Sequence, residues 1–109
     1  MKKIDFRKIE TRPTFEGKTM LQDISKTLGN KIRQNVDDIG LKDFASDIYY
    51  KGEVEVDKNK ALVIKAVMDI AKYVIYIKEA VYPLLDEIVK EEEEEERKRE
   101  EKQNNKSKK

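Results

Sequence analysis

The last apolar side chain in this sequence is Val89, and from Lys90 to Lys109 there is none. A segment with nothing to bury cannot offset the entropy lost on ordering. Whatever folds must therefore lie within residues 1–89, leaving 90–109 as a charged, low-complexity tail. At 109 residues the chain has room for one domain. Crowding the apolar residues into 1–89 raises their share there above the whole-chain 38%. That is enough for a compact core of modest stability.

Periodicity divides this domain. In KIDFRKI (residues 3–9), Ile4 and Phe6 alternate with Asp5 and Arg7, the period of a half-buried strand. Pro13 and Gly17 in TRPTFEGK supply turn geometry, and residues 18–22, KTMLQ, are expected to return as the second strand of a hairpin. A helix follows, capped by Ser25, with Ile24, Leu28, Ile32 and Val36 on one face. Gly29 inside it costs roughly 1 kcal/mol relative to alanine, a cost that a close neighbouring element would explain. Leu41, Phe44, Ala45, Ile48 and Tyr49 mark a second core-facing helix. Gly52 falls at its C-terminal cap, and EVEV (53–56) alternates as a third strand.

Asp57 is placed to cap a long helix starting near Lys58. Lys65, Asp69, Lys72, Tyr76 and Glu79 form one polar stripe along it. Apolar residues, including Val67, Met68, Ala71, Val74 and Ile75, fill the rest. Such a helix must be covered on several sides, which makes it the central core element. Pro83 is expected to kink it or start a new helix. In the tail, i, i+4 pairs such as Glu93 with Arg97 support a solvated helix to about Lys102, with disorder beyond. The reading is an α+β fold. Small antiparallel strands (an N-terminal hairpin plus a short third strand) pack with two short helices and one long central helix, followed by the helical tail.

Composition excludes much chemistry. Without histidine or cysteine, the usual zinc sites, Cys/His nucleophile pairs and Ser-His-Asp triads cannot be built. The glycines at 17, 29, 40 and 52 stand singly, so there is no glycine-rich phosphate loop. Asp37, Asp38 and Asp43 lie close in sequence, but the alternation of ligands and closing glutamate of a calcium loop are missing. Turn or cap roles suit them better. No catalytic residue, cofactor or metal is expected, and the chain reads as a non-enzyme. The 24 basic and 23 acidic residues nearly cancel, leaving no strong field toward nucleic acid or anionic membranes. The apolar stretch 61–85 carries Lys65, Asp69, Lys72, Lys78 and Glu79, which argues against a membrane span. With no signal-like apolar run after Lys2 and Lys3, a cytoplasmic location is the expectation.

Two binding surfaces remain to be weighed. Lys2, Lys3, Arg7, Lys8 and Arg12 flank the first strand. Lys3, Arg7 and Lys8 would be the nucleic-acid contacts if it met phosphates. Lysines also commonly protect an edge strand. The pair of helices over 25–50 resembles a helix-turn-helix, but its second helix offers Asp43, Ser46 and Asp47 where bases would be read. Tyrosine suits half-buried contact surfaces, and Tyr50 and Tyr76 are the candidates for partner binding.

KIDFRKI, ISKTLGNKI, DFASDIYYKGEVEVDKNKALVIKAV and AVYPLLDEI together resemble a set of short phage and prophage proteins. The resemblance covers residues 1–89. It rests on an opening strand, an LG-N-I type helix and an IY..GEVE step into a long helix. None of these motifs is catalytic, so no functional residue carries over. The resemblance implies an accessory protein of a virus or integrated element, serving virion assembly or inhibiting a host system. The leading expectation is binding to another protein or to a second copy of itself. The alternative is a nucleic-acid-binding accessory.

Overall fold

The computed structural model describes residues 2–107, with side-chain surroundings through Glu100. The last helix is described to Ser107, beyond the end expected near Lys102, and residues 108–109 lie outside the described residues. Four helices and two small antiparallel sheets make an α+β fold.

The first strand is shorter than its alternation suggests, and its partner differs. Strand β1 (Lys2–Asp5) pairs not with 18–22 but with β4 (Glu53–Val56), Ile4 opposite Val54 and Lys3 opposite Glu55. Asp5 ends it. Its Oδ1 accepts the Arg7 backbone N–H at 3.0 Å, and its carbonyl accepts the Lys8 N–H at 3.1 Å. Such a side-chain turn competes with the strand ladder for the same backbone groups. The chain then resumes as β2 (Ile9–Thr11), which forms the hairpin with β3 (Met20–Gln22), Glu10 opposite Leu21. Phe6, in the turn, is fully buried and holds the parts together. Its N–H donates to the Gly52 carbonyl at 2.9 Å, and its carbonyl accepts from Ile24 at 2.8 Å.

Helix α1 (Ser25–Asn35) buries Ile24, Leu28 and Ile32 as their spacing requires. Ser25 is not its side-chain cap. Asp23 closes a turn just ahead of the helix, its Oδ1 accepting from the Ser25 N–H at 3.0 Å and hydroxyl at 2.6 Å. After a 3-10 turn at Ile39–Leu41, α2 (Lys42–Lys51) lies against α1 and buries Phe44, Ala45 and Ile48. Gly29 is where the two helices meet. A Cβ there would stand 2.8 Å from the Tyr49 Cβ and 2.9 Å from the Ala45 carbonyl oxygen. Gly52 ends α2 at φ +78°, a conformation costly for any residue with a Cβ.

The expected long central helix is two helices. After the Asp57 carboxylate accepts the Lys60 N–H at 2.8 Å, α3 (Lys58–Ile70) runs only to Ile70. Lys72 then adopts φ +56°. The Tyr73 N–H reaches back to the Met68 carbonyl (3.1 Å) and the Lys72 N–H to that of Asp69 (3.2 Å). This is a Schellman stop with lysine in the position glycine usually takes. Helix α4 (Ile75–Ser107) turns back to pack on α3. Continued straight, the helix would place Ile88 about 45 Å from Lys58 at 1.5 Å per residue. Reversal instead buries Val81, Leu85 and Ile88 in one core with Ile64, Val67 and Met68.

The break exposes residues expected inside. Ile70, Val74 and Ile75 face solvent, and Ala71 is only half-buried. Pro83 neither ends nor restarts a helix; it lies within α4. Both Pro83 and Glu79, whose carbonyl it cannot serve, are exposed, so water can serve that carbonyl. At 33 residues α4 is about 50 Å long, which accounts for most of the molecule's 58 Å extent.

Candidate protein-binding surface

Arg12, Pro13, Thr14 and Phe15 from the β2–β3 loop face the α3–α4 turn and the first residues of α4. Between them lies a cleft of about 530 Å³. Its other wall is Tyr73, Val74, Ile75, Tyr76 and Glu79. Phe15 sits in a loop closed by the Gly17 N–H to the Thr14 carbonyl (3.3 Å), and the residue is 98% exposed. Ile75 is 81% exposed and Val74 51%. These water-facing apolar side chains gather around one concavity rather than lying scattered over the surface. The Tyr73 hydroxyl is buried without a hydrogen-bond partner, and burial pushes its pKa up to about 12. Arg12 and Glu79 stand on opposite walls, and neither has an ion-pair partner among the described residues.

Tyr76 therefore lines this cleft, but Tyr50 does not share it. Tyr50, 80% exposed, stacks edge-on against Tyr49 and borders a separate groove with Asn30, Arg33 and Ser46. Phe15, Val74 and Ile75 escaped the sequence reading for two reasons. The periodicity places the latter two inside a continuous helix, and Phe15 stands alone among turn-forming residues. An aromatic residue between Pro13 and Gly17 was the available signal.

Two members of the basic cluster, Lys2 and Arg7, are held by local carboxylates. Lys2 bonds Glu87 at 2.6 Å and Glu91 at 3.2 Å. These two partners raise its pKa. Arg7 grips Asp5 in two parallel bonds of 3.0 and 3.1 Å, and this side-chain bonding pulls the Asp5 carboxyl below the usual range. Lys3 shares a groove of mixed charge with Asp43, Asp47, Glu53 and Glu55 and with Lys51 and Lys60. Lys8 alone of the three nucleic-acid candidates has neither an ion pair nor a place in that groove among the described residues.

The expected polar stripe is dismantled by the helix break. Lys65 and Asp69 instead face Lys78, Tyr82 and Asp86 across the α3–α4 contact. Lys65 pairs with Asp86 at 2.8 Å and Lys78 with Asp69 at 3.0 Å. The Tyr82 hydroxyl donates to Asp69, which lowers the Asp69 pKa, while burial and then Asp69 raise that of Tyr82. Both lysines lie over the Tyr82 ring, 5.1 and 5.9 Å from its centre. The network is a clasp between helices. Asp38 likewise has a local task, accepting the Gly40 N–H at 2.9 Å. Among the described residues no carboxylate group is arranged to hold a metal ion, and no helix is long and apolar enough to cross a membrane.

Comparison with known proteins gives no matching family, no matching curated relative and no matching solved structure.

Proposed function

We propose that the chain is a non-enzymatic accessory protein that acts by binding protein at the cleft between the β2–β3 loop and the α3–α4 turn. The virus- or prophage-borne setting follows from the resemblance, with virion assembly or inhibition of a host system as the task and the cytoplasm as the place. The observation that carries the reading is Phe15, held 98% exposed beside an apolar cleft. Covering a side chain of this size yields about 1.5–3 kcal/mol, which is the range of an interface anchor. Nucleic-acid binding through the first strand is the weaker reading, because Arg7 is held by Asp5 and Lys2 by Glu87 and Glu91.

The test is affinity purification of the tagged chain from phage-infected cells, followed by titration of the isolated co-purifying protein. Phe15→Ala should weaken that binding by about 2 kcal/mol, roughly thirtyfold, without altering the circular dichroism. Binding indifferent to Phe15→Ala and Ile75→Ala would refute this placement. DNA affinity that falls steeply with salt and vanishes on reversing Lys3, Arg7 and Lys8 would favour the nucleic-acid reading.

A further inference from the structure

Resting on the protein-binding reading, we infer that the occupant of this cleft is a second copy of the chain. The two copies dock about a two-fold axis, with Phe15 of each entering the cleft of the other. A two-fold interface brings one surface patch against itself, so that patch must be self-complementary. This one carries both halves of the fit, a projecting ring and an apolar hollow.

Its charges match in the same way. Arg12 and Glu79 lie on opposite walls, each without an ion-pair partner among the described residues. A two-fold axis through the cleft sets Arg12 of one copy against Glu79 of the other, twice over. One cation and one anion leave the patch neutral, which suits self-docking and gives a strongly charged partner nothing to follow. Phe15 alone offers about 200 Å². With Val74, Ile75 and Tyr76 the patch is at the small end of specific interfaces, which use roughly 800 Å² per partner. The dimer is accordingly concentration-dependent.

Sedimentation equilibrium of the full chain from micromolar to millimolar concentration provides the test. The wild type should pass from monomer to dimer, and Phe15→Ala should raise the dissociation constant by about tenfold or more. Arg12→Glu and Glu79→Arg should each weaken self-association, since either variant sets like charges face to face. An equimolar mixture of the two should form a heterodimer in which both contacts again join opposite charges. Adding Phe15→Ala to both variants should abolish that recovery. Each substituted side chain is exposed, and circular dichroism verifies that the variants fold. A dimer indifferent to Phe15→Ala, or variants that fail to recover on mixing, would overturn the inference. If the wild type stays monomeric while Phe15→Ala still weakens the co-purified protein, the second copy is excluded and the protein-binding reading stands. Loss of both effects would remove both.

Discussion

Gly29→Ala is the substitution for which simple propensity and the structure predict opposite signs. On an open helix face, alanine for glycine adds about 1 kcal/mol of stability. At Gly29 the new methyl would meet the Tyr49 Cβ at 2.8 Å, the Ala45 carbonyl oxygen at 2.9 Å and the Tyr49 nitrogen at 3.0 Å. Two of these are backbone atoms of α2, and a Cβ cannot rotate away, so relief requires the whole helix to shift. That shift would disturb Leu28 and Ile48, both fully buried. Overpacking of this kind costs roughly 1–3 kcal/mol, and backbone contacts place it in the upper half of that range. After subtracting the propensity gain, the net loss is about 1–2 kcal/mol, a fall in Tm of roughly 5–15 °C for a domain of this size. Urea melts followed by circular dichroism measure it. Tyr49→Ala in the same background should bring no rescue, because it keeps the Cβ. A Gly29→Ala variant about 1 kcal/mol more stable than wild type would show that α1 and α2 do not approach this closely.

Three further outcomes follow from other parts of the molecule. Lys72→Ile places a β-branched residue at φ +56° and should destabilise by more than about 1 kcal/mol in a urea melt, whereas Lys72→Gly should be neutral or stabilising. Burial keeps the Tyr73 hydroxyl protonated up to about 12, while in the unfolded chain it ionises near about 10. The unfolded state therefore loses this proton first, and stability should fall as pH rises between those values. Tyr73→Phe should flatten that alkaline loss and, by removing a buried hydroxyl without a partner, add about 1 kcal/mol at neutral pH. Truncation after Lys90 removes Glu91, Glu93 and Glu96, the exposed partners of Lys2 and Lys58. Since exposed ion pairs contribute little, thermal melting should shift by less than about 4 °C; a larger fall would mean the tail is bound to the body by more than these pairs.

Features with local causes are legible in short windows of the chain. Leu28 and Ile32, Phe44 and Ile48, Val54 and Val56 are buried as their spacing predicts. Gly52 and Asp57 cap where their chemistry requires. Each depends on a few neighbouring residues, so the signal is complete within a short window. Tertiary structure alone decided the partner of β1 and the reversal at Lys72. No glycine or proline lies between Lys58 and Tyr82 to announce a break. The stop costs a left-handed lysine, and the compensation comes from Val81, Leu85 and Ile88, well over a helical turn downstream, which reach the core only if the chain turns back. The candidate surface was hidden for the same reason. Phe15 and Ile75 border one cleft because the hairpin and the helix turn converge, and the exposure of Val74 and Ile75 follows from where α3 ends. A pattern of apolar residues shows what is available to be buried, and only the competition among distant contacts selects what stays outside.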